Sequence, residues 1–173
     1  MSFDVSVKFL RKGSTAVVIA LALLASSCQV RPLYSESTGV ARNLAAISYS
    51  PAGSRVGQQV RNRLIFLTSG GAGEPAKADY DVQLTVASYV TGVLLVESSD
   101  TARAGQIVVN GDYTMRRVSD GQVLRTGHRS ATSLVDFPVQ EFAKLRAIRD
   151  AENRAARELA ELIRTYLAIA LGR

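Results

Sequence analysis

The chain has a single cysteine, Cys28, standing directly behind a short apolar run and the small residues Ala25, Ser26 and Ser27. One thiol cannot close an intramolecular disulfide, so whatever folds after it must be held by a packed core rather than by covalent staples. The segment ahead of Cys28 has the three parts of a secretory signal: a basic start with Lys8, Arg11 and Lys12, an uncharged stretch over residues 15–25, and small residues at a cleavage point. That stretch is too short to cross a hydrocarbon core, which takes roughly 20 residues in helical form. Residues 1–27 therefore read as a signal peptide.

A thiol at this position offers a nucleophile that can take a diacylglyceryl group in thioether linkage, and cleavage between Ser27 and Cys28 then leaves Cys28 as the new N-terminus. The pattern resembles a bacterial lipobox, with Ala25 where that pattern favours Leu and with Leu24 one place earlier. The resemblance makes Cys28 the lipid-attachment residue. Each buried methylene contributes about 0.8 kcal/mol and one acyl chain holds only marginally, so two or three chains make a durable anchor. The competing readings are an ordinary secretory signal followed by a buried thiol, and a single-pass anchor, which would need a longer run.

Beyond the leader, residues 28–173 are the size of one domain. The whole chain has a formal net charge of +6, and the leader takes Lys8, Arg11, Lys12 and Asp4 with it, so the remainder is mildly basic. That balance suits anionic headgroups or an acidic partner surface and falls short of the clustered basic footprint of a nucleic-acid binder. No cofactor is expected. His128 is the only histidine, and its neighbours supply no carboxylate or thiolate at ligand spacing, so no metal site is expected either. Catalysis has little support: Gly70-Gly71-Ala72-Gly73 lacks the Lys-Ser/Thr of a phosphate loop, and there is no nucleophile with a base.

Residues 28–43 read as a lipidated tether and residues 44–173 as a single domain. Within it, residues 44–50 suggest a short strand closed by Pro51-Ala52-Gly53. Ser54 is placed to cap a helix reaching about Leu67, with Val56, Val60, Leu64 and Leu67 along one stripe and a glycine-rich loop after it. Tyr80, Val82, Leu84 and Val86 then alternate with polar residues, the period-2 mark of a strand with one buried face. A second such strand covers about residues 104–118, and Ser119-Asp120-Gly121-Gln122 is a hairpin turn. The third strand covers about residues 123–135. Finally, residues 140–171 predict a long helix whose stripe runs through Ile148, Ala151, Ala155, Leu159, Leu162, Tyr166 and Ala170. Its other side offers i, i+4 ion pairs such as Asp150 with Arg154 and Arg157 with Glu161. This order argues for an α+β fold, two helices packed on one face of a four-stranded, mostly antiparallel sheet, with the other sheet face left for a partner or ligand.

Four phrases resemble those of the alphaproteobacterial LptE family. They are Cys28 with Arg31-Pro32-Leu33-Tyr34, the helix phrase Arg55-Val56-Gly57-Gln58-Gln59-Val60-Arg61-Asn62, the strand phrase Tyr80-Asp81-Val82-Gln83-Leu84, and the closing Arg149-Asp150-Ala151-Glu152-Asn153-Arg154-Ala155-Ala156. The resemblance implies a lipopolysaccharide-assembly lipoprotein tethered on the periplasmic side of the outer membrane. Such a protein plugs a large outer-membrane β-barrel partner, LptD, helps that barrel assemble and assists transfer of lipopolysaccharide to the outer leaflet. Gln29 after the cysteine is compatible with outer-membrane sorting. The rival reading is an auxiliary periplasmic lipoprotein of an ABC-type lipid transport system, whose partner would be an inner-membrane permease.

Contact with lipopolysaccharide asks for cations near phosphate and carboxylate groups. The candidates are Arg116, Arg117, Arg125 and Arg129, on the two strands flanking the Asp120-Gly121 turn. Arg116 and Arg117 must point to opposite faces of their strand, so the four cannot all converge. The competing reading is that these are solvated strand residues, or residues that meet the wall of the barrel. Residues 31–34 either dock the tether or form a flexible linker, and Tyr113 and Tyr166 fall in core stripes.

Overall fold

The computed structural model describes residues 39–96 and 101–172, so the expected signal peptide, Cys28 and the run at residues 31–34 lie outside the described residues. A short helix, α1 (Val40–Ala45), leads into a three-residue strand, β1 (Ile47–Tyr49), and then into a second helix, α2 (Arg55–Ser69). Three long strands follow, β2 (Tyr80–Val96), β3 (Thr101–Arg117) and β4 (Val123–Asp136), and a long helix, α3 (Glu141–Leu171), comes last. The sheet order is β1-β2-β3-β4.

The alternation read from the sequence sets which way each strand faces. Register places Val86, Gly111 and Arg129 side by side on one row of β2, β3 and β4. A Cβ built on Gly57 of α2 would touch Val86, and one built on Gly111 would touch Leu159 and Ile163 of α3. Arg129 lies over Tyr166 of α3. Both long helices therefore cover the same face, giving the expected two-layer α+β fold. The neighbouring row, Thr85, Asp112 and His128, is exposed on the other face.

The long strands form an antiparallel meander, whereas β1 runs parallel to β2 with Ile47 opposite Tyr80 and Tyr49 opposite Val82. Parallel neighbours cannot be joined by a tight turn and take a crossover, and α2 is that crossover. Its start is held by Ser54, whose Oγ accepts a hydrogen bond from the Gly57 amide at 3.0 Å. Its end is closed by Gly70 at φ 63°, a left-handed cap that costs glycine nothing. The loop that follows folds back on β1: the Tyr49 amide donates to Glu74 Oε1 at 3.0 Å, and Arg61 Nη2 donates to Glu74 Oε2 at 2.5 Å.

Two features depart from the sequence reading. Residues 40–43, expected as tether, and residues 44 and 45, expected as the start of a strand, form α1 instead, with Val40 and Leu44 buried at 0% and 2% exposure. A single helical turn is unstable alone, and burial against the longer helices is what makes this one form. In α3 the buried residues are Ala151, Ala155, Ala156, Leu159, Ala160, Ile163, Leu167 and Ala168. Its C-terminal half is thus buried through Ile163 and Leu167, while Leu162 and Tyr166 are half-buried. The helix contacts α1 and α2 as well as the sheet, so its buried surface is wider than one stripe. Consistent with this, Glu161 pairs with Arg63 of α2 at 2.6 Å rather than with Arg157 along its own helix, while the Asp150–Arg154 pair does form.

Tyr49 shows how tightly the layers close. Its hydroxyl donates to Thr68 Oγ1 at 3.5 Å, and burial pushes its ionisation far above the ordinary phenol value. The unfolded chain loses that proton near pH 10 while the folded chain keeps it, so stability falls as pH rises above about 10. Denaturant midpoints measured across that limb are expected to decline in the native protein and to decline less in Tyr49→Phe.

Candidate functional site

The β3–β4 hairpin carries all four candidate arginines, with Arg116, Arg117 and Arg125 close to the turn and Arg129 at the middle of β4 opposite Gly111, and it separates them between faces. Gly121 takes φ 69°, and Asp120 closes the turn: Oδ1 accepts from the Gln122 amide at 3.0 Å and Oδ2 from Arg117 Nη1 at 2.8 Å. The Gln122 amide first, and the Arg117 guanidinium after it, hold the Asp120 carboxyl below its ordinary value. Arg117 also donates to Gln122 Oε1 at 3.0 Å, so its guanidinium is committed to the turn. Arg116 is exposed and stands opposite Asp81 in the register with β2.

Arg125 and Arg129 share the helix-covered face of β4 and converge. The Arg129 guanidinium carbon is 3.5 Å from the Tyr166 ring centroid and that of Arg125 is 5.6 Å from it. Arg129 Nη1 donates to the His128 carbonyl at 2.5 Å, which orients the stacked group. Tyr166, expected in the core stripe, is half-buried, and its ring is shared by both cations. The four-residue spacing of the two arginines does put them on one strand face. What was not readable from sequence is that this face meets Tyr166.

Tyr113 lies in the core at 1% exposure. His128 sits on the open face, its Nδ1 2.8 Å from Asp112 Oδ1. Among the described residues no group of three or more His, Cys, Asp or Glu could hold a metal ion. The open face around that pair is polar: Gln83, Thr85, Asn110, Thr114, Thr126 and Thr132 lie on it, with the Thr114 and Thr126 hydroxyls 3.5 Å apart. Among the described residues no helix is long and apolar enough to cross a membrane.

No curated relative matches the chain. Among solved structures, it is similar to a protein from Caulobacter crescentus CB15 described as a "putative lipoprotein", with a TM-score of 0.62 at 21% identity over 77% of this chain and 96% of that one. It is also similar to rare lipoprotein B from Shewanella oneidensis, with a TM-score of 0.50 at 16% identity over 72% of this chain and 92% of that one. At these identities the likeness speaks to the fold: the same two-layer arrangement is found in proteins described as lipoproteins. The sequence model of the LptE family, described as lipopolysaccharide-assembly, matches residues 42–167, which runs from α1 almost to the end of α3 and takes in both faces of the sheet. The chain therefore belongs to the LptE family of lipopolysaccharide-assembly proteins.

Proposed function

We propose that this chain is an outer-membrane lipoprotein, anchored through Cys28 on the periplasmic side, that plugs an LptD-type β-barrel. In this role it helps the barrel assemble and assists insertion of lipopolysaccharide into the outer leaflet. Residues 1–27 are removed as a signal peptide, and the tether runs from Cys28 to the start of α1. The protein acts by binding and carries out no catalysis.

Membership of a lipopolysaccharide-assembly family supports the setting. The plug reading rests on the open sheet face. A large barrel has a polar, hydrogen-bonding interior, and a body lodged there needs a matching polar surface. Around the Asp112–His128 pair, rows of Thr, Asn, Gln and Asp on the uncovered face supply it, while the same face carries the exposed apolar residues Tyr89 and Leu134 farther from the hairpin turn. For lipopolysaccharide, Arg116, Arg117, Arg125 and Arg129 remain the proposed contacts, and the convergence of Arg125 and Arg129 favours that pair over the other two.

Affinity capture of the tagged lipoprotein from detergent-solubilised envelope, with mass spectrometry of what comes along, tests the assignment. A large outer-membrane β-barrel near one-to-one is the expected result. An inner-membrane permease as dominant partner, or no stable partner, would replace this reading with that of an auxiliary lipoprotein in lipid transport.

A further inference from the structure

We infer that Arg125 and Arg129, with Tyr166 beneath them, form a binding site for a phosphoryl-class oxyanion. Four residues along a strand separate two Cα atoms by about 13 Å, yet both guanidiniums turn inward to a single ring. Like charges drawn to one place repel, and the negative face of the ring offsets that only in part. A carboxylate would ordinarily lie between such a pair, and among the described residues none does. Asp112 pairs with His128 on the opposite face, Asp120 with Arg117 in the turn and Glu161 with Arg63, and no ion pair joins Glu158 of α3 to either arginine.

The hydrogen bonding points the same way. The Nε atoms of Arg125 and Arg129 are both buried with no hydrogen-bond partner, as is that of Arg63, but Arg63 is ion-paired through Nη2 to Glu161 whereas these two have no carboxylate. Both residues are only half-buried, which leaves the outer parts of the guanidiniums open to a ligand, and the His128 carbonyl holds just one of the four terminal nitrogens. Two planar, permanently charged donor groups converging from separate positions match a tetrahedral anion with several oxygens.

Arg125 is paired with Met115 beside the hairpin turn, and Arg164, two residues before Tyr166, lines one cleft together with Ala41 and Leu44 of α1. The phosphate of a membrane lipid headgroup and that of lipopolysaccharide share the chemistry recognised here. The inference deepens, and rests on, the reading of these two arginines as anion contacts, and it does not depend on the barrel partner.

The test uses the full mature protein in non-ionic detergent, titrated with inorganic phosphate and separately with a short-chain phosphatidic acid, while the arginine Nε–H resonances are followed by NMR. Saturable shifts at Arg125 and Arg129, with Arg116 unmoved, are expected. Arg129→Gln and Arg125→Gln are each expected to weaken phosphate binding at least tenfold, with Arg129→Lys in between, and Tyr166→Phe, which keeps the ring, to retain it. Shifts with both probes make the phosphoryl group sufficient, and shifts with the lipid probe alone assign the site to a headgroup. No shift with either probe, equal shifts at all arginines, or undiminished binding in the double Gln variant overturns the inference, and the native titration decides even where a variant fails to fold. A failed titration beside a recovered barrel partner removes this site and leaves the assembly role intact. The reverse result leaves an anion site in a protein with another partner.

Discussion

Leu159→Ala is expected to lower the unfolding free energy by about 2–5 kcal/mol, the range for truncating a fully buried leucine. Leu159 is at 0% exposure where α3 crosses β3, and the strand residue beneath it is Gly111. A Cβ on Gly111 would stand 3.1 Å from Leu159 Cδ2 and 3.3 Å from Ile163 Cδ1, closer than comfortable packing. The absence of a side chain there is thus what lets α3 lie down on the sheet, together with the run of buried alanines on the helix. Gly111→Ala alone should be mildly destabilising, about 1 kcal/mol, because two buried side chains must give way. In the Leu159→Ala background the same methyl enters the space just vacated, so the double variant should lose less than the two single losses together. Denaturant midpoints for the four proteins of this cycle read the coupling directly. Simple additivity would mean the two positions do not share that space.

The second large effect lies one strand over, where Gly127 of β4 faces Tyr113 of β3. A Cβ at Gly127 would stand 2.6 Å from the Tyr113 hydroxyl and 2.7 Å from the adjoining ring carbon. The ring is buried and has nowhere to retreat, so Gly127→Ala is expected to cost about 1–3 kcal/mol. The Tyr113 hydroxyl has no hydrogen-bond partner. Removing such a group costs nothing in bonding and relieves desolvation, so Tyr113→Phe should be neutral or stabilising by up to about 1 kcal/mol. It also deletes the closest atom to the new methyl, so Gly127→Ala should be less damaging in the Tyr113→Phe background than in the native one. Thermal or denaturant unfolding measures both, and a clear loss of stability in Tyr113→Phe would contradict this description of the core.

Much of this core was legible in the sequence because it follows from local periodicity. Alternation over residues 80–86 and 109–115 named the buried faces of β2 and β3, and those side chains do face the helices. Ser54 marked the start of α2 and Asp120-Gly121 the hairpin, since a cap and a tight turn are settled by the chemistry of a few adjacent residues. The candidate arginines show where such reasoning stops. Alternation shows that Arg116 and Arg117 diverge and that Arg125 and Arg129 agree, but it does not say what lies above either face.

Local pattern was enough for the number and order of the long elements, the buried face of each strand, and, through four short phrases, the family to which the chain belongs. Packing between distant segments makes residues 40–45 helical, buries the C-terminal half of α3 through Ile163 and Leu167, pairs Glu161 with α2 and brings two arginines to one tyrosine. The difference is one of range. Hydrophobic period, capping and turn geometry are properties of neighbours along the chain, whereas the burial of a single turn, the width of a helix's buried surface and the meeting of β4 with α3 depend on which distant segments come to lie against each other.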